Sequence, residues 1–408
     1  MKLSKSIEEI REEFPILSQK AYGKPLIYLD NGATTQKPVQ VLKVIDEIYR
    51  TSNANVHRGV HYLSDLISDR YESARGTVRA FINASKNEEV IFTAGATASI
   101  NTVAFSFGER YVHEGDEILI SGMEHHANIV PWQMLCERKK ALLKVIPFSV
   151  EGILDLNKYR RLLTDRTRII AVTHASNVLG TINPVKEIIA EAHRNGIPVL
   201  VDGAQSIQHG MVDVQDLDCD FFVFSGHKIY GPTGTGVLYG KEKWLSEMPP
   251  YQGGGDMVAT VTFAKTTYNE LPFKFEAGTT NFAGSIGLAA ALDYVSSLGR
   301  KEIAEREQLL LALADRELSA IDGVKFFGTA PHKVSVISFL PGDIHQYDAG
   351  MILDKMGIAV RTGTHCAQPV MDRYGISGTI RASIAFYNTE DEIHALAIGV
   401  RKVMEMFA

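Results

Sequence analysis

Residues 223–240 read VFSGHKIYGPTGTGVLYG: an apolar run ends in Ser-Gly-His, one lysine follows, and a glycine-studded stretch leads into a second apolar run. Short aromatic and β-branched runs bounded by glycines read as strands, so Lys228 stands at a strand end in a tight connection whose glycines allow a close turn. The lysine itself needs explaining. A nucleotide-phosphate loop of the GxxxxGK[ST] kind carries its lysine after the glycines, whereas Lys228 precedes them. A dinucleotide fingerprint needs GxGxxG, and in GTGVLYG the third glycine comes one residue late.

Outward from this stretch, EEVIFT (88–93), EILIS (117–121), RIIAVTHA (168–175), IPVLVD (197–202), DFFVFS (220–225) and TGVLY (235–239) alternate with amphipathic segments of helical length. That alternation predicts an α/β fold with a mostly parallel sheet covered by helices. After about Gly284 the texture changes to long helical segments, then VSVISFL and a helical tail. The expected division is a large domain over 21–284 and a smaller α/β domain over 285–408, on which the amphipathic residues 1–20 pack.

The 408 residues are 45% hydrophobic and 22% charged with a formal net charge of −6, a composition of folded globular chains rather than disordered or fibrous ones. No basic block with interleaved aromatics is present, which argues against a nucleic-acid partner. The opening MKLSKSIEEIREEFPIL mixes acids and bases around no apolar core and does not read as a secretory signal. No apolar run is long enough to span a bilayer, so no membrane partner is expected. Cys136, Cys219 and Cys366 lie far apart without CxxC spacing, which fits neither a disulfide framework nor a structural zinc site and points to a reducing cytoplasm. His57 and His61 in HRGVH are spaced like half of a zinc motif, but the glutamate of HExxH is missing and Gly59 weakens a helix there, so no metal is expected.

In open α/β sheets ligands bind beyond the carboxyl ends of the strands. Four such ends carry reactive groups: His125 after EILIS, Asn177 after IIAVTHA, Asp202 closing IPVLVD, and Ser225, His227 and Lys228 after DFFVFS. Any one alone is an ordinary polar loop start; four in one sheet mark a site. A strand-end lysine with a strand-end aspartate in the same sheet suits pyridoxal 5′-phosphate, which is held covalently by a lysine amine and needs an acid against its pyridine nitrogen. TAGATASIN (93–101) opens a helix with small residues after a strand, where backbone N–H groups and Thr97 are placed to receive a phosphate.

SGHKIYGPTGTGVLY, VDGAQS, MEHHANIVPW, NVHRGVHYLS and RTGTHCAQPVM resemble group II, Suf-type, cysteine desulfurases, pyridoxal-phosphate enzymes of the class V aminotransferase group with the aspartate-aminotransferase-like fold (fold type I). The resemblance runs from LDNGATTQKP (29–38) almost to the end. It implies that Lys228 holds the cofactor, that Asp202 pairs with the pyridine nitrogen and Gln205 with the ring hydroxyl near Asn177, and that His125 stacks on the ring. Ala96 (through its backbone), Thr97, Ser225 and His227 would bind the phosphate, joined by Thr280 from the partner subunit of a homodimer. Arg361 and Arg381 would grip the substrate carboxylate, with Asn177 beside it.

The implied reaction converts L-cysteine to L-alanine, with Cys366 taking the sulfur as a persulfide for a SufE-like or SufU-like acceptor in iron–sulfur cluster assembly. Selenocysteine lyase and cysteine sulfinate desulfinase share the same cofactor residues; a transaminase has no need of Cys366, and a scaffold that kept only the fold is the non-enzymatic alternative. Thr364 stands where such loops usually have a first histidine, and Ala94, Ala96 and Ala98 replace an arginine, a threonine and a glutamate at the phosphate helix.

Overall fold

The computed structural model describes residues 3–210 and 212–407. Seven strands form the central sheet: Val90–Thr93 (β1), Glu117–Ser121 (β2), Leu142–Ile146 (β3), Thr167–Thr173 (β4), Val199–Asp202 (β5), Phe221–Ser225 (β6) and Gly236–Gly240 (β7). Their order is β1-β7-β6-β5-β4-β2-β3. Strands β2 to β6 run parallel, whereas β7 is antiparallel to both β6 and β1. The reversal follows from the 223–240 stretch: its link between β6 and β7 is too short for a helical crossover, so the chain must return antiparallel.

Strands β2, β5 and β6 are buried along their whole length, as expected of parallel strands covered on both faces. Strand β3 went unread in the sequence because it is an edge: LLKVI is mostly accessible and carries Lys144, a charge typical of edge strands.

Helices Tyr62–Phe81 (α1) and Ala96–Tyr111 (α2) cover the sheet. Phe282–Leu298 (α3) lies against α1, and its apolar side chains join the core that includes β5 and β6. Past Gly299, Arg300–Ser319 (α4) and Glu390–Phe407 (α5) pack on a four-stranded antiparallel sheet of Val324–Phe327 (β8), Val336–Pro341 (β9), Arg361–Gly363 (β10) and Thr379–Ser383 (β11), ordered β8-β9-β11-β10, around a separate core. The expected boundary between 284 and 285 thus falls inside α3.

The amino-terminal segment bridges both parts. Ile10, Phe14 and Leu17 enter the large core, and Arg11 pairs with Glu392 at 2.9 Å. Among the described residues no single helix is long and apolar enough to cross a membrane; α3 and α4 pass together on composition but are bent by 77°.

One buried ion pair ties α1 to the sheet and to the 276–281 loop. Arg75, fully buried, donates to both oxygens of Glu276 at 2.6 and 3.0 Å, and Glu276 also accepts from Tyr71 Oη at 2.8 Å and from the Phe92 N–H at 2.7 Å. Removing one partner of such a pair strands the other charge, so Arg75→Met is expected to destabilise the fold by about 3–5 kcal/mol in denaturant titration. A change within about 0.5 kcal/mol, the range of ordinary surface substitutions, would show that the pair carries no such burden.

Candidate active site

The carboxyl ends of β4, β5 and β6 and the turn after β2 converge on a cavity of about 170 Å³. Eleven of the residues singled out in the sequence line it: Ala96, Thr97, His125, Asn177, Asp202, Gln205, Ser225, His227, Lys228, Arg361 and Arg381. Cys366 lies at its edge, with its Sγ 3.6 Å from Arg361 Nη2. Thr280 does not reach it. It lines a neighbouring cavity of about 200 Å³ together with Ala94, Ala98 and Asn281.

Lys228 projects from the turn at the end of β6, its Nζ 3.5 Å from Gln205 Oε1. Burial, reinforced by Arg381 and Arg361, lowers its pKa to about 8 against the pull of Asp202 and Cys366. The peptide that carries it is held from the 30s loop: the His227 carbonyl receives Thr35 N–H at 3.0 Å and Thr34 Oγ1, Thr35 Oγ1 and Lys37 Nζ, each at 3.1 Å. Lys37 has no carboxylate partner among the described residues, and burial lowers its pKa to about 7.

Asp202 ends β5 and is buried; it accepts the Ala204 N–H at 2.9 Å. Burial raises its pKa, while that hydrogen bond and the charge of Lys228 oppose the rise. His125 stays neutral, its pKa lowered to about 3 by burial and then by Lys228. Its Nδ1 accepts the Ala127 N–H at 3.0 Å, which puts the ring proton on Nε2. Behind it Glu124, fully buried, accepts from Ser121 Oγ, Asn128 Nδ2 and the Thr173 N–H, fixing the turn to β2 and β4. Burial raises the Glu124 pKa to about 8.

At the opposite end Gly95 precedes α2 with φ 147°, a region open to glycine. It lies so close to the start of β7 that a Cβ on Gly236 would fall 2.5 Å from Gly95 Cα. The Ala96 N–H meets Ser225 Oγ at 2.8 Å, joining the helix start to the end of β6.

The fourth wall comes from the small sheet. Arg361 and Arg381 are directly opposed in the β10–β11 register, an arrangement that opposes like charges and is unfavourable in itself. Arg381 is buried and donates to Asn177 O at 2.9 Å and Asp30 Oδ1 at 3.0 Å. Among the described residues its Nε, like Gln205 Nε2, has no partner. Two opposed guanidiniums with donors to spare form a receptor for a carboxylate.

Cys366 differs from the other thiols. Cys136 and Cys219 are buried, and burial pushes Cys136 up to about 11 and Cys219 further still. Cys366 is half-exposed beside Arg361. Asp30, Lys37, Glu124 and His126 escaped the sequence reading; only the run LDNGATTQKP, with its loop-forming residues after a short strand, signalled the first two. The histidines of HRGVH are apart in function: His57 pairs with Glu72 at 3.3 Å, and His61 caps α1. Arg58 pairs with Asp256.

The depressed Lys228 amine gives a direct expectation. An ordinary lysine has a pKa near ~10.4; competitive acylation mapped by peptide should show Lys228 half-reactive at about pH 8 while surface lysines are still protonated. Half-reaction above about pH 10 would remove the electrostatic basis of the site.

The family model for aminotransferase class V matches residues 27–396. A cysteine desulfurase of Cronobacter sakazakii is 50% identical over 402 residues, 98% of this chain and 99% of that protein. The crystal structure of the cysteine desulfurase CsdA of Escherichia coli superposes with a TM-score of 0.92 at 38% identity, covering 98% of this chain and 99% of that one. The apo cysteine desulfurase of Thermococcus onnurineus gives 0.94 at 36% identity, with both chains covered completely. The chain belongs to the aminotransferase class V family, among its cysteine desulfurases.

Proposed function

We propose that this chain binds pyridoxal 5′-phosphate in the cavity at Lys228 and moves the sulfur of L-cysteine onto Cys366, releasing L-alanine. The observation that carries this reading is the meeting of Lys228, the arginine pair and the Cys366 thiol at one cavity. The residues fit the cofactor: Gln205 Nε2 is an orphaned donor on the wall, Asp202 is an acid with a single backbone donor, and the start of α2 offers N–H groups for a phosphate beside Ser225, His227 and Thr97. When bound, pyridoxal phosphate supplies an electron sink that labilises the bonds at the amino acid's α- and β-carbons.

This chain's residues do the rest. Arg361 and Arg381 bind the substrate carboxylate and orient its Cα–H toward Lys228. Lys228, with a pKa of about 8, takes that proton as a general base. Asp202 would hold a proton at the cofactor's pyridine nitrogen, and His125, neutral with its proton on Nε2, would pack on its ring. The Cys366 thiolate then attacks the substrate sulfur. An S–S bond forms and the C–S bond breaks; the electron pair stays with the β-carbon, which takes up a proton to become a methyl group, and the proton held by Lys228 is returned to Cα, giving alanine.

The finer assignments form part of the same reading. The enzyme is a Suf-type homodimer in the cytoplasm, Thr280 serves the partner's phosphate site, and the persulfide passes to a SufE-like or SufU-like acceptor for iron–sulfur cluster assembly. The location of Cys366 favours desulfurase over selenocysteine lyase or sulfinate desulfinase, whose leaving groups depart without a thiol to receive them.

Cys366→Ala is therefore expected to lower alanine release from L-cysteine by about 10²-fold or more while sparing release from selenocysteine. The spectral response to added L-cysteine should persist, since Lys228, Asp202 and both arginines are untouched. Undiminished desulfuration by Cys366→Ala would refute the assignment.

A further inference from the structure

The backbone around Cys366 does not hold its shape by itself. His365 and Cys366 have φ of 54° and 57°, two successive non-glycine residues in the left-handed region, a conformation that persists only where the surroundings over-determine it. His365 is fixed from its own side and from the large sheet: its Nε2 lies 2.9 Å from Thr379 Oγ1 on β11, and its carbonyl accepts Asn177 Nδ2 at 2.8 Å. The next stretch, which carries the thiol, closes on its own loop through the Ala367 N–H on Thr364 O at 3.0 Å and is tied to the turn after β2 by His126. The His126 N–H donates to Cys366 O at 2.7 Å, and His126 Nε2 accepts the Gln368 N–H at 3.1 Å.

We infer that His126 is a positioning residue that fixes the Cys366 loop against the large sheet, setting where the thiol stands relative to the cavity. The two bonds bracket residues 366–368, so backbone and side chain of one residue act as a two-point staple. Its footing is rigid, because the Glu124 carboxylate locks the same turn to Ser121, Asn128 and Thr173. The neighbouring histidines adopt opposite tautomers. His125 accepts at Nδ1, whereas His126 accepts at Nε2 and so carries its proton on Nδ1. One turn thus faces the cavity with His125 and holds the Cys366 loop with His126.

This inference rests on Cys366 being the sulfur acceptor, and its test separates the two claims. His126→Ala keeps the backbone bond to Cys366 O but leaves the Gln368 N–H without its acceptor; His126→Gln offers Oε1 in place of Nε2. In the holoenzyme, peptide-mapped iodoacetamide labelling should show Cys366 alkylated about tenfold faster in His126→Ala, as the loop leaves its constrained conformation, and near the parental rate in His126→Gln. With L-cysteine, kcat for alanine release should fall about tenfold in His126→Ala with little change in KM, and His126→Gln should recover most of it. The absorbance change on adding L-cysteine should be the same in all three proteins. Unchanged Cys366 labelling in His126→Ala, or a glutamine variant no better than alanine, would overturn the staple. The labelling readout needs no turnover, so its failure is distinct from a failure of Cys366 as acceptor, which Cys366→Ala reports.

Discussion

The site is organised by an excess of positive charge withdrawn from water. Lys228, Arg361 and Arg381 face one cavity, and the acids against them are Asp202 and Asp30, the latter hydrogen-bonded to Arg381. Desolvation lowers the pKa of Lys228 and of Arg381, and neighbouring arginine charge deepens both shifts. An amino-acid carboxylate and a phosphate are the ligands that relieve such an imbalance. The same imbalance keeps part of the Lys228 amine unprotonated near neutrality, as a base requires. In the proposed reading, binding and proton transfer therefore share one electrostatic cause.

The fold delivers this charge from two directions. The large sheet contributes Lys228 and Asp202 at the ends of adjacent parallel strands, β6 and β5, while the small sheet contributes both arginines from the β10–β11 pair. At the site the two sheets are joined by polar cross-links beside the apolar contact of Ala175 with Val334 and Val336. Arg381 reaches the Asn177 carbonyl, Asn177 reaches the His365 carbonyl, and His126 reaches the Cys366 carbonyl. The thiol is carried on the small sheet while its loop is tied to the large one, which is what the proposed sulfur transfer needs of it.

Much of this was legible in the chain because it is local. Strand-end chemistry is visible wherever an apolar run stops at a histidine, asparagine, aspartate or lysine, and the spacing of Lys228 before its glycines excluded the nucleotide loops. What escaped depends on long-range pairing. The direct opposition of Arg361 and Arg381 is a register that spans a helix and a loop; four donors on the His227 carbonyl come from residues almost two hundred positions away; and the partners of His126 lie 240 residues downstream or more. Strand β3 was missed for another reason: its exposure leaves Lys144 within it, and edge strands lack the apolar signature of buried ones. The expected boundary falls inside α3, a helix apolar nearly all round, whose texture says buried but not against which sheet.

The central claim is that one thiol receives the sulfur. Its most direct measurement is mass-spectrometric peptide mapping of the enzyme after a single exposure to L-cysteine with no reductant and no acceptor present, with alanine counted in the same sample. The account predicts one additional sulfur atom on the peptide bearing Cys366, in proportion to the alanine formed, and none on the peptides of Cys136 and Cys219. Alanine formed with the sulfur on either of those buried thiols, or on none, would contradict it.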